Sequence, residues 1–128
     1  MTVTHVSRKG AASSAPAGVD QVAREVSAVT RLLEAEGILD YSGHVSARIP
    51  GRDAFVIQIG STSRAEVAPE SMLVVDYAGK VIEGEGQPPS ELPIHLEILK
   101  SRPDVAAVLH SHMELAVALT MIWRSPSP

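Results

Sequence analysis

PPSELPIHLEILKSRPDVAAVLHSH, residues 88–112, is the stretch whose reading decides the fold of this chain. It opens on a proline-braced Ser90-Glu91 pair, and Pro93 suits the first turn of a helix, where the N–H groups have no intrahelical acceptor to lose. Ser90 is the expected N-cap of a helix running through Ser101, with Ile94, Ile98 and Leu99 turned inward. Arg102-Pro103-Asp104 then breaks the helix, and the continuous apolar run over residues 105–109 reads as a buried strand. His110 and His112 stand at the end of that strand. Alternate residues of a strand share a face, so both imidazoles project one way and Ser111 the other. Glu91, at the start of the helix, sits where exposed backbone N–H groups favour an ionised carboxylate. One carboxylate and two imidazoles are thereby candidates for a single divalent-metal site.

An HxH pair alone is a weak signal in a chain with five histidines, and its place at the end of a buried strand is what gives it weight. His95 falls one helical turn after Glu91 and is expected either to hydrogen-bond to it or to line the pocket. The absence of cysteine removes thiolate ligands and disulfides together, leaving His, carboxylate and water for any metal.

Working outward, the elements before this stretch read in order. Residues 1–18 hold Gly, Ser, Pro and Ala without periodicity and are expected to form a mobile leader. Val22, Val26, Val29 and Leu33 recur at helical spacing, with Asp20 as a candidate cap and Gly37 as the left-handed stop. Residues 44–49, 54–59, 72–77 and 80–83 are short β-prone runs separated by Pro50-Gly51, Gly60-Ser61 and Ala78-Gly79, the spacing of an antiparallel meander. Residues 63–71 suggest a turn or short helix. After His112, residues 113–123 resume an apolar helical pattern, and 124–128 read as a tail.

The totals narrow the function classes. At 128 residues the chain is one domain, with a core that must come from Val, Leu, Ile and Ala because aromatics are only 3%. A net charge of -4 without a basic block argues against nucleic acid as the partner and leaves a small molecule. No apolar run approaches the roughly 20 residues that span a bilayer, so no membrane partner is expected and a cytoplasmic location is.

Gly43-His44-Val45-Ser46 and Gly60-Ser61 are glycine-permitted turns with hydroxyls, suited to holding an anion. With these in place, the chain resembles the class II aldolase/adducin family through SGHVSAR (42–48), the Gly60-Ser61 turn, SMLVVDYAGKVIEG (71–84), PPSELPIH (88–95) and RPDVAAVLHSH (102–112). The resemblance covers most of residues 19–120, within a domain read as 19–123. It implies a three-layer α/β/α fold with a mostly antiparallel central sheet, assembled as a homo-oligomer, a tetramer in the family. By resemblance, His110, His112 and Glu91 are ligands of zinc or another divalent cation, and Glu91 is also the catalytic acid/base. Ser46, Gly60, Ser61 and Ser90 look like the positions that hold the substrate's anionic end, with His44 and His95 behind the ligands. The implied activity is a metal-dependent carbon–carbon lyase, aldolase or decarboxylase, acting on a small hydroxy-carbonyl or sugar-phosphate-like substrate through an enediolate. Two departures are expected to matter. His44 stands where sugar-phosphate aldolases usually have Asn, which is expected to make the bound anionic group a carboxylate rather than a phosphate and brings decarboxylase-like relatives into view. The family's third histidine, which follows the HxH strand, has no counterpart before residue 128, so the chain matches the N-terminal part of the domain. An adducin-like interaction module and an inactive fragment are the alternatives to an enzyme.

Overall fold

A computed structural model of the chain describes residues 2–7, 18–39 and 43–111. The strands are β1 (Thr2–Ser7), β2 (His44–Arg48), β3 (Ala54–Gln58), β4 (Met72–Asp76), β5 (Val81–Glu83) and β6 (Val105–Ser111), and the helices are α1 (Val19–Ala35) and α2 (Leu92–Ser101). They form one sheet in the order β1-β6-β2-β3-β4-β5, and every pairing is antiparallel. The meander expected over β2 to β5 is therefore present, and β6 returns to pair beside β2. A short 3-10 turn at Pro69–Ser71 fills the link between β3 and β4.

Side-chain alternation along β3 explains the three layers. Val56 packs with Val22, Ala23 and Val26 of α1 on one face, whereas Phe55 and Ile57 pack with Leu99 of α2 on the other. Val56, Phe55 and Ile57 are each 0% exposed, and burying such a side chain contributes about 1.5–3 kcal/mol. A central strand buried on both faces reads as an unbroken apolar run for this reason.

Helix α1 buries Ser27 and Thr30 as well as valines. Their hydroxyls donate to the carbonyls of Ala23 and Val26, at 2.6 and 2.7 Å, so neither polar group is stranded. Gly37 ends the helix at φ 74° with its N–H on Glu34 O at 3.0 Å, as its position suggested. Among the described residues no helix is long and apolar enough to cross a membrane.

Several expectations are corrected. Residues 2–7, assigned to the leader, pair with β6 from Thr2 opposite Ser111 to Val6 opposite Ala107. TVTHVS is rich in β-branched residues, and β6 would otherwise present an open edge. Asp20 does not cap α1: the N-cap is Gly18 without a side-chain bond. Ser90 does not cap α2 either, because the N-cap position falls to Glu91 and Ser90 Oγ donates to the Glu91 carboxylate. Val29, expected inward, is 43% exposed. The buried positions of α2 are His95 and Leu99; Ile98 packs against the core while only partly buried, and Ile94 is half-buried. Residues 112–128, with His112 and the expected last helix, lie outside the described residues.

Candidate active site

The start of β2, the end of β6 and the start of α2 meet at one end of the sheet. His44 and His110 are direct partners across the β2–β6 ladder, and their rings stack with centroids 5.4 Å apart at 14°. A side chain on Gly43 would meet Leu39 and the carbonyl of His110, at 2.5 and 3.1 Å. The missing side chain at Gly43 leaves room for the chain to enter β2 beside Leu39 and the end of β6. Arg64 anchors this entry, its Nε donating to Gly43 O at 2.7 Å from a side chain almost fully buried.

Helix α2 adds His95, which is 0% exposed and tilted against His44 with ring centroids 5.5 Å apart. His95 Nδ1 lies 2.6 Å from Ser46 Oγ, and its Nε2 lies 3.4 Å from His44 Nδ1. His44 Nε2 in turn stands 3.6 Å from Glu91 Oε1. His44 therefore stands between His95 and Glu91, where a direct hydrogen bond was one of the two expectations for His95. Burial, with smaller contributions from the charges of His44 and His110, pushes the His95 pKa down to about 3. His95 is a neutral imidazole throughout the working pH range.

A third loop brings in the anion-binding candidates. Gly60 N–H donates to Gln87 O at 2.9 Å, and a Cβ at residue 60 would lie 3.0–3.2 Å from backbone atoms of Pro88 and Pro89. The Gly60-Ser61 turn is thus pressed against the segment that presents Ser90 and Glu91. Ser61 and Ser90 are exposed and Glu91 is partly exposed, with Ser90 Oγ donating to Glu91 Oε2 at 3.1 Å. Beside the turn, residues 60–65 and Glu34 line an open cleft of about 390 Å³. Ser46, expected beside the anion, is 0% exposed and faces His95 instead.

Two residues that sequence reasoning passed over shape these loops. Gln58, 1% exposed, donates its amide to Ile59 O and Thr62 O at 3.2 and 2.9 Å and so holds the Gly60 turn. Arg64 ties that turn to Gly43. A polar residue closing an apolar run was the available signal for Gln58, whereas nothing local distinguishes Arg64 from a surface arginine.

His110 and Glu91 are imidazole and carboxylate donors of the kind that suit zinc and other divalent cations. Among the described residues no group of three or more His, Asp or Glu is placed to hold a metal, and His112 lies beyond them.

The model of the Class II Aldolase and Adducin N-terminal domain matches residues 24–127. The chain belongs to this family. Among solved structures, it is similar to an aldolase II superfamily protein from Pseudomonas syringae, with 26% identity and a TM-score of 0.74 over 84% of this chain and 45% of that one. An L-fuculose 1-phosphate aldolase also matches at 26% identity and TM-score 0.74, over 86% of this chain and 52% of the other. The L-fuculose 1-phosphate aldolase from Glaciozyma antarctica PI12 shares the fold, at TM-score 0.75 and 24% identity over 88% and 50% of the two chains. The chain spans about half the length of those proteins. Strand β1 lies outside the matched region.

Proposed function

We propose that this chain carries the catalytic part of an aldolase-type carbon–carbon lyase. What carries the reading is the convergence of Glu91, His44, His95 and His110 at one sheet end, with the Gly60-Ser61 turn pressed against the Pro88-Pro89 segment that leads into Glu91. Similarity to an L-fuculose 1-phosphate aldolase at 26% identity supports it.

Glu91 is the proton-transferring group. It is partly exposed and held at the N-terminus of α2, beside the site's histidines. Ser61 and Ser90 are the hydroxyls placed to bind the anionic end of a small hydroxy-carbonyl substrate. His110 and Glu91, together with His112, are the residues that would hold zinc or another divalent cation. Such a cation polarises a carbonyl and stabilises negative charge as a carbon–carbon bond breaks. The rest of a longer chain, or a second copy in a homo-oligomer, completes the pocket.

The test is retro-aldol and decarboxylase turnover on hydroxy-keto acids and sugar phosphates with divalent cations supplied, alongside metal content after dialysis. Turnover reduced on the order of 10²-fold or more by Glu91→Gln is expected. Metal retained by the parent protein and lost in His110→Ala with His112→Ala is the second expected result. A folded parent protein with neither turnover nor bound metal would leave an interaction module in its place.

A further inference from the structure

Ser46, His95 and His44 stand in a row behind Glu91, with successive separations of 2.6, 3.4 and 3.6 Å from Ser46 Oγ to Glu91 Oε1. A neutral imidazole carries one N–H donor and one lone-pair acceptor, so a row of two can run in only one of two directions. In the first, Ser46 O–H donates to His95 Nδ1, His95 Nε2–H donates to His44 Nδ1, and His44 Nε2–H faces the carboxylate. In the second, every bond reverses, and the lone pair of His44 Nε2 is set against the negative oxygen of Glu91. Serine serves either direction, because its hydroxyl both donates and accepts. The charge on Glu91 selects the first.

Burial strengthens the selection. His95 and Ser46 are 0% exposed and His44 is 1% exposed, so a reversed bond would meet little competition from water. His95 stays neutral and cannot escape the choice by carrying both protons. His44 is held in place by its stack on His110 and by the ladder between β2 and β6.

We propose that Ser46, His95 and His44 form a one-way hydrogen-bond chain that presents His44 Nε2–H to Glu91 and positions that carboxylate for proton transfer. Its catalytic meaning rests on the lyase reading given above, but its geometry does not. Glu91 is then held from two sides, by Ser90 Oγ on Oε2 and by His44 on Oε1. The 3.6 Å separation is longer than a direct bond, and hydrogen bonds at catalytic groups commonly tighten when substrate binds. His44 and His95 are positioning residues in this scheme, and Ser46 supplies the terminal donor.

The experiment is nitrogen-15 NMR of histidine-labelled protein near neutral pH, with signals assigned through His44→Asn and His95→Gln. Both His44 and His95 are expected with the proton on Nε2 and a pyridine-type Nδ1. A proton on His44 Nδ1, or on both of its nitrogens, overturns the proposal. In Ser46→Ala the His95 Nδ1 signal should move toward that of a pyridine-type nitrogen without a donor, and Ser46→Thr should restore it; an unmoved signal in Ser46→Ala also overturns it. With turnover established, Ser46→Ala should lower kcat on the order of tenfold with KM little changed, and an unchanged kcat removes the positioning role. The NMR readouts need neither metal nor substrate. A failed turnover assay leaves them standing, and a wrong tautomer leaves the lyase reading standing.

Discussion

Replacing Gly60 by alanine tests the junction on which the site depends. Gly60 has no positive φ, so alanine is allowed by the backbone. By itself the change would stabilise the fold by about 0.4–1 kcal/mol through the unfolded chain. Space decides the sign. The new Cβ would lie 3.0 Å from Pro89 Cα, 3.1 Å from Pro89 N and 3.2 Å from Pro88 O, against ordinary carbon contacts of about 3.5–4.0 Å. All three neighbours are backbone atoms, so no side chain can swing aside. The Pro88-Pro89 segment must retreat by about half an ångström, carrying Ser90 and Glu91 with it. Overpacking of this kind costs about 1–3 kcal/mol, leaving a net loss of up to about 2.5 kcal/mol after the gain from the unfolded state. Urea unfolding should show a lower midpoint with an unchanged slope, the signature of lost stability without a change in compactness. Where turnover is measurable, the displaced Glu91 should lower it by up to about 10². A Gly60→Ala protein more stable than its parent by that full gain of about 0.4–1 kcal/mol would refute the close approach of the two loops.

Arg48 and His95 give two further expectations. Arg48 donates to Val105 O, Leu99 O and Arg102 O at 3.0, 2.8 and 3.1 Å, and to the Tyr77 hydroxyl, so Arg48→Ala should cost about 2–4 kcal/mol by calorimetry or urea unfolding. Lysine should recover only part of this, because it lacks the planar fork that reaches several acceptors. His95 has its pKa lowered to about 3 in the fold, against about 6.5 in the unfolded chain. Protons then bind the unfolded state first as pH falls. The stability from a neutral His95 is fully present above about pH 6.5 and is lost toward pH 3, at up to about 1.4 kcal/mol per pH unit. His95→Gln should flatten that acid limb in denaturation measured across the range, and an equally steep limb would show that other groups cause it.

Periodicity and turn chemistry determined the elements. The valines of α1 at helical spacing, Gly37 at its end and the turn pairs between β2, β3, β4 and β5 placed those elements to within a residue or two, because local backbone preferences and one-sided burial act over a few neighbours. The resemblance motifs likewise drew Glu91, His44, His95 and His110 into one region. The tertiary structure alone decided how these side chains connect. Periodicity along α2 could not show that His95 would be buried more deeply than Ile94 and Ile98, since its cost is met by Ser46 and His44 from a strand far away in the chain. Nor could it show Ser46 turned away from the anion, Arg64 reaching back to Gly43, or β1 completing the edge of β6. The stretch over residues 88–112 carries most of the chemical groups, but a residue's partner across a sheet is set by register and layer packing. That is why His44, read from sequence as a group behind the ligands, emerges as the link between His95 and Glu91.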